Sequence, residues 1–361
     1  RPDGRLMGGA MYYLSKGLAE KGQAGLGKVL AVMFAVLCVG ASFGGGNAFQ
    51  VNQSLGVVGE TLPFLGENRW MYGIIMTIAV GVVIIGGIKS IAKTAEKIVP
   101  LMCTIYVLAC LYILVTNAGL VPAAFGKIVS SALSFEAGLG GFIGILVVGF
   151  KRAAFSNEAG IGSAAIAHST AKTNFPVREG AVAMLGPYID TIIICTLTGL
   201  VIICTGAWKH TEYYASITAS TLDEFNVAIS EGSFRGLNLI NGSLLTSFAF
   251  KNGLQWLFNF GDKIITLSVL LFATSTAISW SFYGDRSTEY LFGEGAIYWY
   301  RIVYIAFVFI GANAGIEAVW AFGDAALGFM TFPNLISIIF LTGALKKMTK
   351  KYFKEDYDSK S

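Results

Sequence analysis

The stretch "AFSNEAGIGSAAIAHSTAK", residues 154–172, sets small residues, an Asn–Glu pair and several hydroxyls between two strongly apolar segments. Ser156 and Asn157 oppose a regular helix because their side chains compete for the backbone, and Gly160 and Gly162 oppose it through backbone freedom. In hydrocarbon an unpaired backbone amide is costly, so irregular backbone at membrane depth persists only where protein or a water-filled cavity lines it. The stretch therefore reads as a helix that breaks inside a membrane, and the rest of the chain has to supply that membrane setting.

Composition does so. Of 361 residues, 55% are hydrophobic and 13% are charged, whereas soluble domains carry roughly a quarter charged residues. The chain reads as an all-α polytopic membrane protein with the lipid bilayer as its surroundings. Net charge is +4, but the bases cluster between apolar segments and at the C-terminus. That arrangement marks topology and excludes a nucleic-acid partner, which would want a continuous basic face. Cys38, Cys103, Cys110, Cys195 and Cys204 all fall within apolar segments, as small buried hydrophobes do, not as a disulfide or metal framework does. The opening "RPDGRLMGGAMYYLSKG" lacks an initiator Met and a signal peptide and reads as the middle of a loop, so an incomplete N-terminus is expected.

A spanning helix needs roughly 20 mostly apolar residues. Eight segments qualify as candidates: 28–58, 70–88, 98–117, 138–150 (continuing into the stretch above), 180–208, 262–283, 296–311 and 318–341. Residues 125–134 read as an interfacial helix. The polar and aromatic insertion 209–261 reads as an external loop region, and 342–361 as a basic cytoplasmic tail. Lys and Arg in short loops set orientation. Arg1, Arg5, Lys16, Lys21 and Lys28 precede the first span, Lys89, Lys93 and Lys97 follow the second, and Lys172 and Arg178 precede the fifth. Arg286 lies between the sixth and seventh and Arg301 near the start of the seventh, and Lys346, Lys347, Lys350, Lys351, Lys354 and Lys360 fill the tail. The bases alternate from loop to loop, which puts both ends of this chain in the cytoplasm and the protein in a cell membrane as a multi-pass element.

Three membrane-depth runs are polar or Gly-rich: 44–54, 151–170 and 272–284. Small residues also serve close helix packing, but three such runs together, one holding Lys151, Arg152 and Glu158, point to a site, because intramembrane ionisable groups are costly. Enzyme motifs do not survive inspection. "GIGSAA" at 160–165 fits G-x-G-x-x-A, yet no strand precedes it and no acidic residue follows at the distance a βαβ unit requires. "STAK" at 169–172 lacks the companion motifs of S-x-x-K enzymes. Only His168 and His210 are neutral-pH bases, with His168 placed at a helix end, and no cluster has metal-ligand spacing. The chain is not read as an enzyme and needs no cofactor. A half-helix beginning after the break would present free amides and its positive dipole end to a carboxylate, and discontinuous midplane helices are what secondary transporters use to hold substrate and ion.

The segments "KRAAFSNEAGIGSA", "MGGAMYYLSKGL", "IIGGIKSIAKTAEKIVP", "ISWSFYGDRSTEYLFG" and "DAALGFMTFPNLISI" resemble signatures of the alanine or glycine:cation symporter family. The resemblance covers about residues 6–345, and "FSNEAG" and "SWSFYGDR" are its most specific parts. It implies a LeuT-type inverted-repeat fold, with core helices 3–10 present in a single transmembrane transporter domain over 1–341. It also implies import of alanine or glycine with sodium or, in some members, protons. One departure is Ala10, where the family usually has Pro.

By that resemblance Gln50, Phe155, Asn157, Gly160 and Trp280 fall at substrate-site positions, and Ser275 and Thr276 match the hydroxyl pair of a sodium site. Their chemistry agrees. Gln50 and Asn157 are uncharged donor–acceptors able to hold a carboxylate or an amino group, and Trp280 offers a rigid wall against larger side chains, or else packs ordinarily. Thr276 lies four residues before Trp280, on the same helical face, although such hydroxyls also bond back to their own helix. Lys151 and Arg152 are expected to pair with an acidic neighbour that the sequence does not name. The expected function is secondary active import of a small neutral amino acid by sodium symport, the co-transported ion being the only inorganic partner. The alternative is a membrane amino-acid sensor or channel without coupled transport.

Overall fold

The computed structural model describes residues 7–133, 146–147, 149–150, 152–153, 155–255 and 261–358. The expected span at 138–150 lies mostly outside the described residues, as does Lys151.

Two short helical turns, Ala10–Tyr12 and Tyr13–Gly17, open the chain. Next come α1 (Ala24–Thr61), α2 (Arg69–Ile85), α3 (Gly87–Thr116) and α4 (Val121–Leu133). After the break, α5 (Ala164–His168) leads to α6 (Pro176–Cys204). The insertion holds α7 (Glu212–Thr218), α8 (Leu222–Glu231), a hairpin of β1 (Ser233–Phe234) and β2 (Leu237–Asn238), and α9 (Ser243–Gly253). The chain then runs through α10 (Gly261–Phe292), α11 (Ala296–Asn313) and α12 (Ile316–Asp358). Among the described residues α1, α3, α6, α10, α11 and α12 are long and apolar enough to cross a membrane. Helix α2 is apolar over its 17 residues, the lower limit for a span. The chain is an all-α polytopic membrane protein, with only the short hairpin as strand among the described residues.

Helix α10 is the central post. Ala277, Ile278, Trp280 and Phe282 join a core with Phe34, Val51, Met76, Val80, Tyr304, Val308, Leu327 and Met330 from α1, α2, α11 and α12. Ile265, at its other end, joins a second core with Tyr106, Ile113, Val201 and Phe250 from α3, α6 and α9. Around both runs a belt of exposed apolar side chains, among them Val36, Val82, Leu108, Val115, Ile192 and Ile339, suited to hydrocarbon.

Several boundaries differ from those expected from hydropathy. Helix α3 begins at Gly87, not 98, and α10 and α12 continue past 283 and 341. Apolarity marks where lipid ends, whereas a helix ends where its hydrogen bonds end. Lys89, Lys93 and Lys97 extend α3 along one exposed i, i+4 face. Of the three polar runs, 272–284 is regular helix within α10. Residues 44–48 stay helical as a π turn, Gly44–Ala48, inside α1. Only the run 151–170 breaks, at 157–163. Arg286, placed in a loop by sequence, lies inside α10, and Arg301 lies inside α11. Arg286 Nη1 is 2.6 Å from Glu289 Oε2, and Arg301 Nη2 is 2.5 Å from Asp285 Oδ2. These are paired, largely buried charges and carry less topological weight than free loop bases.

Candidate functional site

The break occupies residues 157–163, between a helical turn at Phe155 and Ser156 and the start of α5. Asn157 folds onto its own backbone: its Oδ1 accepts from the Ala159 amide at 2.8 Å, an Asx turn that replaces the helical bond. Its Nδ2 lies 3.5 Å from Asp190 Oδ2 on α6. Gly162 has φ +92°, a left-handed conformation suited to glycine, and closes the break by donating its amide to the Glu158 carbonyl at 3.0 Å. Helix α5 has only five residues, so its dipole is weaker than that of a helix of several turns.

Glu158 reaches across to α10, where the Tyr283 hydroxyl donates to its Oε2 at 2.7 Å and Trp280 faces the same carboxylate. Trp280 is buried, its ring edge-on to Tyr283 at 5.3 Å between centroids. Its other face lies on the π turn of α1: a Cβ added to Gly46 would stand 2.3–2.6 Å from three of its atoms. Gln50 follows that turn and donates Nε2 to the Gly45 carbonyl at 3.0 Å, which leaves its Oε1 as the acceptor end of the amide.

Phe155 packs beside α1, its ring tilted against those of Phe49 and Trp320 at 5.0 and 6.4 Å between centroids. Arg152 lies over both the Phe155 and Trp320 rings, at 4.9 and 4.5 Å, and its Nη2 is 2.6 Å from Asp324 Oδ1. Asp324 of α12 is thus the acidic neighbour of Arg152. A cavity of about 380 Å³ is lined by Phe49, Gln50, Gln53, Tyr106, Phe272 and Trp320, among others, and roofed by Gly242, Ser243 and Thr246 of the insertion.

The residues singled out from sequence thus divide into groups. Gln50, Phe155 and Trp280 gather around the glycine-rich π turn, and Gln50 also lines the cavity. Asn157 and Gly160 lie at the break, turned toward α6 and α12. Trp280 does not line the cavity. Ser275 is buried, with Oγ donating to the Phe272 carbonyl at 3.1 Å and lying 3.5 Å from Met102 Sδ of α3. Thr276 is half-buried beside it. His168 ends α5, its Nδ1 2.7 Å from Glu179 Oε1.

Sequence reasoning missed the Glu158–Tyr283 contact and Asn334. The side chain of Asn334 meets the carbonyls of Ala159 and Gly160 at 3.3 and 2.7 Å. An Asn directly after Pro333 in an apolar run was the available signal.

Comparison with known proteins places the chain in a family. The family model described as the sodium:alanine symporter family matches residues 1–361. The sodium/alanine symporter AgcS of Methanococcus maripaludis is 39% identical over 351 residues, covering 97% of this chain and 70% of the relative. The amino-acid carrier protein AlsT of Bacillus subtilis is 32% identical, covering 96% of this chain and 66% of the relative. The probable sodium/glutamine symporter GlnT of the same organism is 31% identical, over 96% and 65%. A helix break held by two neighbouring helices, a match along the whole chain and relatives at this level of identity lead to one conclusion: the chain belongs to the sodium:alanine symporter family.

Proposed function

We propose that this chain acts in the secondary active import of a small neutral amino acid, alanine or glycine, coupled to sodium and working by alternating access on a LeuT-type inverted repeat. The observation that carries this is the break at 157–163, wrapped by α10 and α12 and placed beside the π turn that bears Gln50. The break supplies backbone groups and Asn157, and the π turn supplies Gln50. Phe155 and Trp280 pack against the glycines of that turn with rings that resist repacking. Family membership and the name of AgcS favour sodium and alanine, and the name of GlnT sets glutamine as the competitor to exclude.

Ser275 and Thr276 are assigned to the sodium ion, since neutral hard oxygens suit a monovalent cation, and no cofactor takes part. The insertion 209–261 is assigned to the outer face and both ends of the chain to the cytoplasm of a cell-membrane protein. One ion moving through 100 mV supplies about 2.3 kcal/mol, sufficient for roughly fortyfold accumulation at 1.4 kcal/mol per decade.

The test is the sodium dependence of labelled-alanine uptake by vesicles carrying the protein, with unlabelled glycine and glutamine as competitors. Sodium replaced by potassium should abolish uptake, and glycine should compete better than glutamine. Thr276→Ala should raise the half-saturating sodium concentration about tenfold, the loss of one hydroxyl ligand, with less effect on the maximal rate at saturating sodium. Uptake indifferent to sodium, or driven equally by a proton gradient alone, would remove sodium from the mechanism. An unchanged sodium dependence in the folded variant would remove Thr276 from the site.

A further inference from the structure

We propose that Asn334 is a positioning residue: its side-chain amide clamps the helix break and thereby sets the placement of Phe155, Asn157 and Gly160 toward substrate. The consequence for substrate rests on the transport assignment above; the clamp itself does not.

A break leaves backbone carbonyls without their helical partners, and at membrane depth protein must supply the missing donors. Asn334 is 1% exposed and supplies them for two successive carbonyls, its Nδ2 donating to Gly160 O at 2.7 Å and Ala159 O at 3.3 Å. Its Oδ1 accepts from the Tyr13 hydroxyl of the Tyr13–Gly17 turn. The orientation of the amide is therefore forced: two carbonyls require the NH₂ group, and the hydroxyl donates to the oxygen. Three elements far apart in sequence meet on this one side chain.

The neighbourhood is shaped to it. Gly162, at φ +92°, turns so closely around Asn334 that an added Cβ would lie 2.9–3.1 Å from its side-chain atoms. The Ser337 hydroxyl donates to the Asn334 carbonyl at 2.6 Å and is itself buried. Pro333, the residue before, has no amide hydrogen to offer the helix, so this turn of α12 already departs from a full ladder where it grips the break.

Asn334→Asp is the sharpest probe because it keeps volume and the acceptor for Tyr13 while turning the donor into an acceptor facing two carbonyl oxygens. Hydrogen–deuterium exchange over residues 157–166 and alanine uptake kinetics would be measured on the reconstituted protein, N334D, Tyr13→Phe and Gly162→Ala. In N334D the exchange of this segment should rise about tenfold, the loss expected when a buried donor is removed, with the core of α10 unchanged. The alanine KM should rise by a similar factor, with the half-saturating sodium concentration unmoved. Y13F should shift both in the same direction by about threefold, since it loses one contact of three, and Gly162→Ala should loosen the segment as N334D does.

Unchanged exchange in folded N334D overturns the clamp. Faster exchange with an unchanged alanine KM overturns its role in substrate positioning and leaves Asn334 as fold support. If N334D does not fold, Y13F and Gly162→Ala decide by the same two readouts. Should the parent protein take up no alanine, the transport assignment fails, and the exchange measurement by itself decides whether Asn334 clamps the break.

Discussion

Trp280 lies with one ring face on Gly46, so close that no side chain fits between them. Inserting one methyl into such a contact costs about 1–3 kcal/mol, because a Trp has few rotamers through which to yield. Gly46→Ala should therefore lower unfolding stability by that amount. If Trp280 is the obstructing neighbour, the cost should fall by at least about 1 kcal/mol in a Trp280→Leu background, a coupling typical of residues in contact. Denaturation of the detergent-solubilised single and double variants measures this, and equal cost in both backgrounds would assign the packing to another neighbour. At this scale the sequence was legible where chemistry is local. Asn157 and Gly162 announce a break by their own conformational preferences, and the structure has one there. It was not legible where chemistry needs a partner from a distant helix. Nothing near Arg152 in the chain points to Asp324, and nothing near Glu158 points to Tyr283, because those contacts arise from tertiary packing across more than a hundred positions.

Elements were legible in kind and less so in their ends. The run 44–54 carries the same glycine signal as 154–172, yet the first stays helical as a π turn and the second breaks. Gln50 capping the Gly45 carbonyl and Trp280 filling the glycine face account for the first outcome, and neither can be read from composition. The insertion is built differently, with helices closed by local capping. Thr221 accepts from the Glu224 amide at 3.1 Å, and the Glu224 carboxylate accepts from the Ser220 amide at 2.6 Å, an arrangement close to a capping box. That backbone bond, with Arg235 beside it, holds the Glu224 carboxyl below the ordinary glutamate range. A group with a depressed folded-state pKa stabilises above its unfolded value, about 4.3, and loses that contribution as pH falls through the folded value. Protection of the Ser220 amide, corrected for its intrinsic exchange rate, should hold from pH 7 to about 5 and fall below about pH 4. Glu224→Gln should remove this step. A protection profile identical in the two proteins would show that the carboxylate does not cap α8.

For the whole molecule, α10 passes through both cores and meets the break through Tyr283 and Trp280. A single helix thus links the proposed ion hydroxyls, Ser275 and Thr276, to the proposed substrate residues. Just past Tyr283, Asp285 pairs with Arg301 of α11, and Arg286 pairs with Glu289 within α10 itself. Removing one member of such a buried pair is expected to destabilise far more than the pair itself contributes. Helix α12, at 43 residues, is about 65 Å long at ~1.5 Å per residue. That is twice the hydrocarbon thickness of ~30 Å, so the helix is longer than a single span requires. This arrangement suits a carrier in which a break clasped between two long helices changes partners as the site turns from one face to the other. The most direct test of that central claim is accumulation of labelled alanine by sealed proteoliposomes carrying the protein, with an inward sodium gradient imposed and then dissipated by a sodium ionophore. Coupled symport predicts that internal alanine rises above the external concentration and falls back when the gradient is lost. Alanine that only equilibrates, with or without the gradient, would contradict it.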